Sequence, residues 1–116
     1  MGYFDLTGER ALIIGSGGIG GAIAGGAAAA GAEIVLADAS TESLERARAA
    51  VEKAGGKAHV IRQEIRSRDD IVALYERVNK ALPGITLSVN AVGLSVMAPA
   101  IETTEDQWRT VLSGFL

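Results

Sequence analysis

The chain has 116 residues, with 11 basic and 14 acidic side chains, a net charge of -3 and no long block of either sign. That suits one domain with a real core and gives no cationic footprint for nucleic acid. With no cysteine and with His59 as the sole histidine, disulfides, thiolate chemistry and clustered Cys or His metal sites are excluded. No apolar run reaches the length of a membrane span, and the start from Met1 to Asp5 lacks a basic region followed by an apolar core, so a cytoplasmic protein is the expectation.

Arg10–Ile14 is a short apolar run stopped by Gly15, the pattern of a buried strand. An alanine-rich helix to Ala30 follows, with Ile19, Ile23, Ala27 and Ala30 on one face. Gly25 and Gly26 lie inside it, each at a cost of about 1 kcal/mol relative to alanine. They are tolerable where the helix packs closely on a sheet. Glu33–Ala37 is a second strand, closed by Asp38. Leu44, Ala47, Val51 and Ala54 give the second helix its apolar face, and Gly55-Gly56 ends it. Ala58–Ile61 is a third strand, in which the lone His59 reads as a structural or surface residue.

Ser67 and Asp70 form a capping-box pattern before a third helix. Its stripe is Ile71, Leu74, Val78 and Leu82, and Pro83 stops it. Ile85, Leu87 and Val89 alternate in a fourth strand that ends at Asn90. After a loop over 93–103, Thr104 and Gln107 form a second capping-box pattern. Glu102, Glu105 and Asp106 make a negative helix start, which the helix dipole favours. Trp108, Val111, Leu112 and Phe115 form the apolar face of the last helix, with Trp108 expected to anchor it against the sheet.

Strand and helix thus alternate through one α/β domain over residues 1–116. Crossovers of this length imply parallel strands joined by right-handed connections. The natural packing is a doubly wound sheet in the order 3-2-1-4 between two helical layers.

The strongest chemical signal is Gly15-Ser16-Gly17-Gly18-Ile19-Gly20, set between a strand and a helix. Unpaired N–H groups at a helix start, aided by the helix dipole, stabilise a pyrophosphate. Gly15 permits the tight turn, Gly17 removes a side chain that would block phosphates, and Gly20 lets the helix approach the sheet. Asp38 closes the second strand, where a carboxylate accepts hydrogen bonds from an adenosine ribose and repels a 2′-phosphate. This favours NAD over NADP. The alternative is that Asp38 merely caps the second helix.

These features resemble the short-chain dehydrogenase/reductase family. Phe4-Asp5-Leu6-Thr7-Gly8, Ala11-Leu12-Ile13-Ile14-Gly15 and Ile19-Gly20 are similar to its first strand and turn. The start also resembles members acting on gluconate-type sugar acids and 3-oxoacyl thioesters. The likeness covers essentially the whole chain but only about the first half of a typical member, its nucleotide-binding part. It implies a Rossmann-like three-layer fold and a dinucleotide cofactor. Gly15 through Gly20 would cradle the pyrophosphate, and Asp38 with Ala39 would face the ribose. Glu64-Ile65 matches the family's acidic-aliphatic pair against adenine. Asn90-Ala91-Val92-Gly93 matches its Asn-Asn-Ala-Gly segment, which lines the cofactor cleft. Val96 and Met97 fall where members border their substrate.

The departures are informative. Ile14 replaces the usual threonine, and the glycine turn is one residue shorter. Glu64 stands in place of aspartate, Ala91 in place of the second asparagine, and Phe115 near a helix asparagine of the catalytic site. The family's catalytic serine and Tyr-x-x-x-Lys pair find no match, because neither Tyr3 nor Tyr75 is followed by lysine four residues on. No catalytic residue is therefore assigned. The resemblance implies the NAD-binding portion of an oxidoreductase, inactive by itself. A non-catalytic nucleotide-binding or regulatory protein and a structural fragment with a damaged site are the alternatives. An open fourth strand and an uncovered apolar surface predict self-association or a complementing chain; no nucleic acid, membrane or metal partner is expected.

Overall fold

The computed structural model describes residues 3–93 and 97–115, with the side chains of residues 114 and 115 left outside. The readings of Val96 and of the Phe115 side chain therefore lie outside the described residues. Four strands form: β1 (Arg10–Ile14), β2 (Glu33–Asp38), β3 (Ala58–Arg62) and β4 (Leu87–Asn90). They alternate with α1 (Gly18–Ala29), α2 (Thr41–Lys53) and α3 (Arg68–Ala81), and a 3-10 turn at Ala100–Glu102 leads into α4 (Glu105–Phe115).

The strands form one parallel sheet in the order β3-β2-β1-β4, as the crossover lengths predict. Ile14 lies opposite Ala37 on one side and Asn90 on the other, while Asp38 faces Arg62. That register brings the turn after β1, the acid that ends β2 and the exit of β4 to one edge.

Successive strand residues point to opposite faces, so a sheet covered on both sides needs continuous apolar strands. Ala11, Ile13, Ile34 and Leu36 pack under α1 and α2, against Ala24, Ala28, Leu44, Ala47 and Val51. Leu12, Val35, Ala37 and Ile61 pack under α3, against Leu74, Val78 and Leu82. Ile71, expected in the α3 stripe, is exposed near the first turn of that helix, where it borders a cavity rather than the sheet. Ser67 caps α3 by accepting from the Asp70 amide, and Thr104 and Gln107 cap α4 reciprocally at 2.9 and 3.1 Å.

Two packing expectations are corrected. The buried face of α1 is Gly20, Ala24, Ala27 and Ala28, while Ile19 is 75% exposed and Ile23 lies at the surface. Only small residues let α1 lie so close, because a Cβ on Gly20 would sit 1.8 Å from the Gly15 carbonyl oxygen. Gly25 meets α2 rather than the sheet, since its added Cβ would lie 3.6 Å from the Ala50 Cβ.

The anchoring of α4 by Trp108 is the second correction, for Trp108 is 63% exposed and Leu112 is exposed as well. Among the described residues β4 pairs only with β1, so no further strand extends the apolar ground on which α4 could settle. The radius of gyration is 15.6 Å. A compact chain of this length would have about 13 Å. Among the described residues no helix is long and apolar enough to cross a membrane.

Candidate functional site

The turn after β1 is built by what glycine permits. Gly15 has φ +91°, and a Cβ there would lie 2.8 Å from the Ala91 carbonyl carbon and the Val92 nitrogen. Its N–H donates to the Ala37 carbonyl at 2.8 Å, which ties the turn to β2. Gly17 then caps α1 with no side-chain hydrogen bond, and the Gly21 N–H closes the first helical turn on the Gly17 carbonyl at 2.7 Å. By helix geometry the amides of Gly18, Ile19 and Gly20 have no intrahelical partner. A Cβ on Gly17 or Gly18 would meet nothing within 4 Å. Free amides, the positive end of a helix dipole and open space above them are what a diphosphate needs.

Asp38 stands beside that turn. Its Oδ2 accepts from the Ser16 amide at 2.7 Å and the Ser16 hydroxyl at 2.9 Å, and its Oδ1 accepts from the Ser40 amide at 2.9 Å. Its main-chain carbonyl accepts from the Gln63 amide at 2.9 Å. Partial burial works against ionisation of this carboxyl. The bonds from the Ser16 amide, the Ser40 amide and the Ser16 hydroxyl, with the nearby Ala39 N–H adding least, outweigh it and hold the pKa below the ordinary aspartate value. Ser40, accepting from the Ser43 amide, is the residue that caps α2. The capping alternative for Asp38 is thereby removed.

Two clefts that share Gly17 and the exit of β4 in their walls open over the carboxyl edge of the sheet. One, of about 360 Å³, is lined by Gly15, Gly17, Asp38, Ala39, Ile65, Ala91, Val92 and Gly93. The other, of about 640 Å³, runs along Gly17, Gly18, Ile19, Gly20, Asn90 and the same β4 exit. The Asn90 side chain holds that exit by accepting from the Val92 amide at 3.1 Å. Ser16 lies beneath the turn and lines neither cleft, as the one buried polar side chain among the described residues.

Glu64 also stands apart. Its carboxylate faces Arg62 at 3.6 Å and Arg66 at 3.3 Å and lines neither cleft. Gln63 and Ser43 wall the Asp38 cleft, and sequence reasoning missed both. The signal for Gln63 was its place one residue beyond Arg62, the partner of Asp38 in the sheet register. Among the described residues no group of three or more His, Cys, Asp or Glu side chains could hold a metal.

The sequence model of the short chain dehydrogenase family matches residues 9–114. The chain belongs to the short-chain dehydrogenase family. It is 32% identical over 111 residues to gluconate 5-dehydrogenase of Gluconobacter oxydans, covering 95% of this chain and 43% of that protein. A short-chain type dehydrogenase/reductase from Mycobacterium marinum superposes with a TM-score of 0.86 at 28% identity, over 96% of this chain and 45% of that one. L-sorbose reductase from Gluconobacter frateurii, solved with NADPH and L-sorbose, superposes with a TM-score of 0.79 at 28% identity, over 96% of this chain and 43% of that one. The short-chain dehydrogenase chain described here therefore spans less than half the length of these relatives. The family binds a nicotinamide dinucleotide.

Proposed function

We propose that this chain is the dinucleotide-holding portion of a short-chain dehydrogenase/reductase and that it takes NAD in preference to NADP. The observation that carries the reading is the ionised Asp38 carboxylate beside the open glycine turn. The amides of Gly18, Ile19 and Gly20 would face the diphosphate, and Asp38 would accept from the adenosine ribose. Ala39 and Ile65 would border the adenosine, and Ala91 to Gly93 would close the cleft. A 2′-phosphate would meet the Asp38 charge. The NADPH in L-sorbose reductase belongs to that relative, so the preference here rests on Asp38 alone.

The nicotinamide, when bound, supplies the hydride chemistry, and the residues described here hold and orient the nucleotide. We propose that these 116 residues alone perform no hydride transfer, because the Tyr-x-x-x-Lys pattern is absent from them. Self-association or a complementing chain would cover the open β4 edge and the exposed Trp108, and the cytoplasm is the proposed location. Calorimetric titration with NAD and NADP tests the cofactor reading, with tighter NAD binding and no turnover expected. Failure to bind either dinucleotide would instead favour a structural fragment with a damaged site, a reading that the shortened turn supports.

A further inference from the structure

The one-residue step between Gly15 and Gly17 has a physical consequence. It presents the amide and the hydroxyl of Ser16 to the same oxygen of Asp38, at 2.7 and 2.9 Å. Ser16 is only 2% exposed, so water does not compete for its hydroxyl. The preceding amide, Gly15, is already fixed to β2 through the Ala37 carbonyl. Phosphate turn and ribose acid are thus bolted together at two successive residues. A carboxylate has about four acceptor positions. Ser16 fills both on Oδ2, and the Ser40 amide takes one on Oδ1. Oδ1 is left as the oxygen with capacity for a sugar hydroxyl.

We propose that Ser16 is a positioning and specificity-determining residue: its hydroxyl pins Oδ2 of Asp38, aims Oδ1 at the ribose and keeps a fixed negative charge where a 2′-phosphate would have to lie. The proposal rests on the NAD reading above. Without the hydroxyl, Asp38 keeps the Ser16 amide but gains freedom to turn. The carboxylate then offers the ribose a less ordered acceptor and can swing away from a phosphate. The lost donor also makes the charge easier to neutralise.

The test uses the 116-residue chain with Ser16→Ala and Ser16→Gly, neither of which adds a heavy atom to the turn. NAD and NADP affinities are measured by calorimetry across acidic and neutral pH. The Asp38 carboxyl is titrated by carbon NMR without ligand. NAD affinity is expected to fall about tenfold, the cost of immobilising a freed side chain on binding. NADP affinity should fall less than twofold, so the preference narrows. The acid limb of NAD binding should move to higher pH together with the Asp38 titration. An unchanged preference and an unchanged titration in both variants would overturn the role of Ser16. An unmodified chain that favours NADP, or binds neither dinucleotide, overturns the NAD reading instead. The ligand-free titration then still decides whether Ser16 holds Asp38.

Discussion

Strands β2 and β4 both lie beside β1, yet they live in different solvents. Ile34, Val35, Leu36 and Ala37 of β2 are wholly buried, whereas Leu87 of β4 is exposed and Val89 only half-buried. Both strands carry aliphatic residues suited to a sheet. What separates them is cover: β2 has α1 and α2 over one face and α3 over the other, with a strand on each side. β4 closes the described sheet. A strand's apolar pattern states what it can bury, and only its neighbours determine whether it does.

The sharpest way to break this comparison is to truncate the same residue type in both strands. Leu36→Ala should cost about 2–5 kcal/mol, the transfer term plus the cavity left between α1, α2 and the sheet. Leu87→Ala should stay within about 0.5 kcal/mol, as for a surface substitution. Urea unfolding of the two variants reads the difference directly. Equal losses would mean that β4 is as well covered as β2.

Next in size is Gly20→Ala, which tests the closeness of α1 to the β1 turn. Its Cβ would overlap the Gly15 carbonyl, and α1 would have to back away from the strand. Overpacking of this kind costs about 1–3 kcal/mol. It should also abolish dinucleotide binding, because the displaced amides belong to the phosphate turn. Unaltered unfolding and binding would show that α1 approaches the sheet less tightly than described.

These two cases also show how far the sequence was legible. The four strands and the capping residues at Ser67 and Thr104 follow from run length, glycine placement and local hydrogen-bonding chemistry, all of which act within a few residues, and the strand order follows from crossover length and doubly wound packing. The buried face of α1 did not follow. A helical wheel favours Ile19 and Ile23 for the core, but the turn at Gly15 leaves room only for glycine and alanine. The bond between Ser16 and Asp38 joins residues 22 apart and depends on the β1–β2 register, which no local pattern encodes. Gln63 replaced Glu64 at the cleft wall for a similar reason. Arg62 and Arg66 draw the Glu64 carboxylate to themselves, and the sequence alone does not show which neighbour wins.

A smaller effect should appear at the ribose end of the site. The folded-state pKa of Asp38 is lowered, so its contribution to stability is fully present above the unfolded value of about 3.9. That contribution is lost as pH falls through the lower folded value. The side chain is only partly buried, so solvent screening keeps the effect modest. The stability gap between the unmodified chain and Asp38→Asn should therefore be constant at neutral pH and shrink below about pH 4. Chemical unfolding across that range checks it, and a gap that widens with acid would reverse the assigned sign.

The smallest expected change comes from the largest side chain. A buried tryptophan cut to alanine costs about 3–5 kcal/mol. Trp108 is 63% exposed on α4, so Trp108→Ala should alter stability by no more than about 0.5 kcal/mol. Because it is the only tryptophan, the fluorescence of the unmodified chain reports on α4 alone. At low concentration its emission should resemble indole in water and be readily quenched by acrylamide. If copies associate through α4, raising the concentration should shift the emission to the blue and slow the quenching. A large stability loss in Trp108→Ala at high dilution would place α4 on a covered surface and erase the contrast between the two sides of β1.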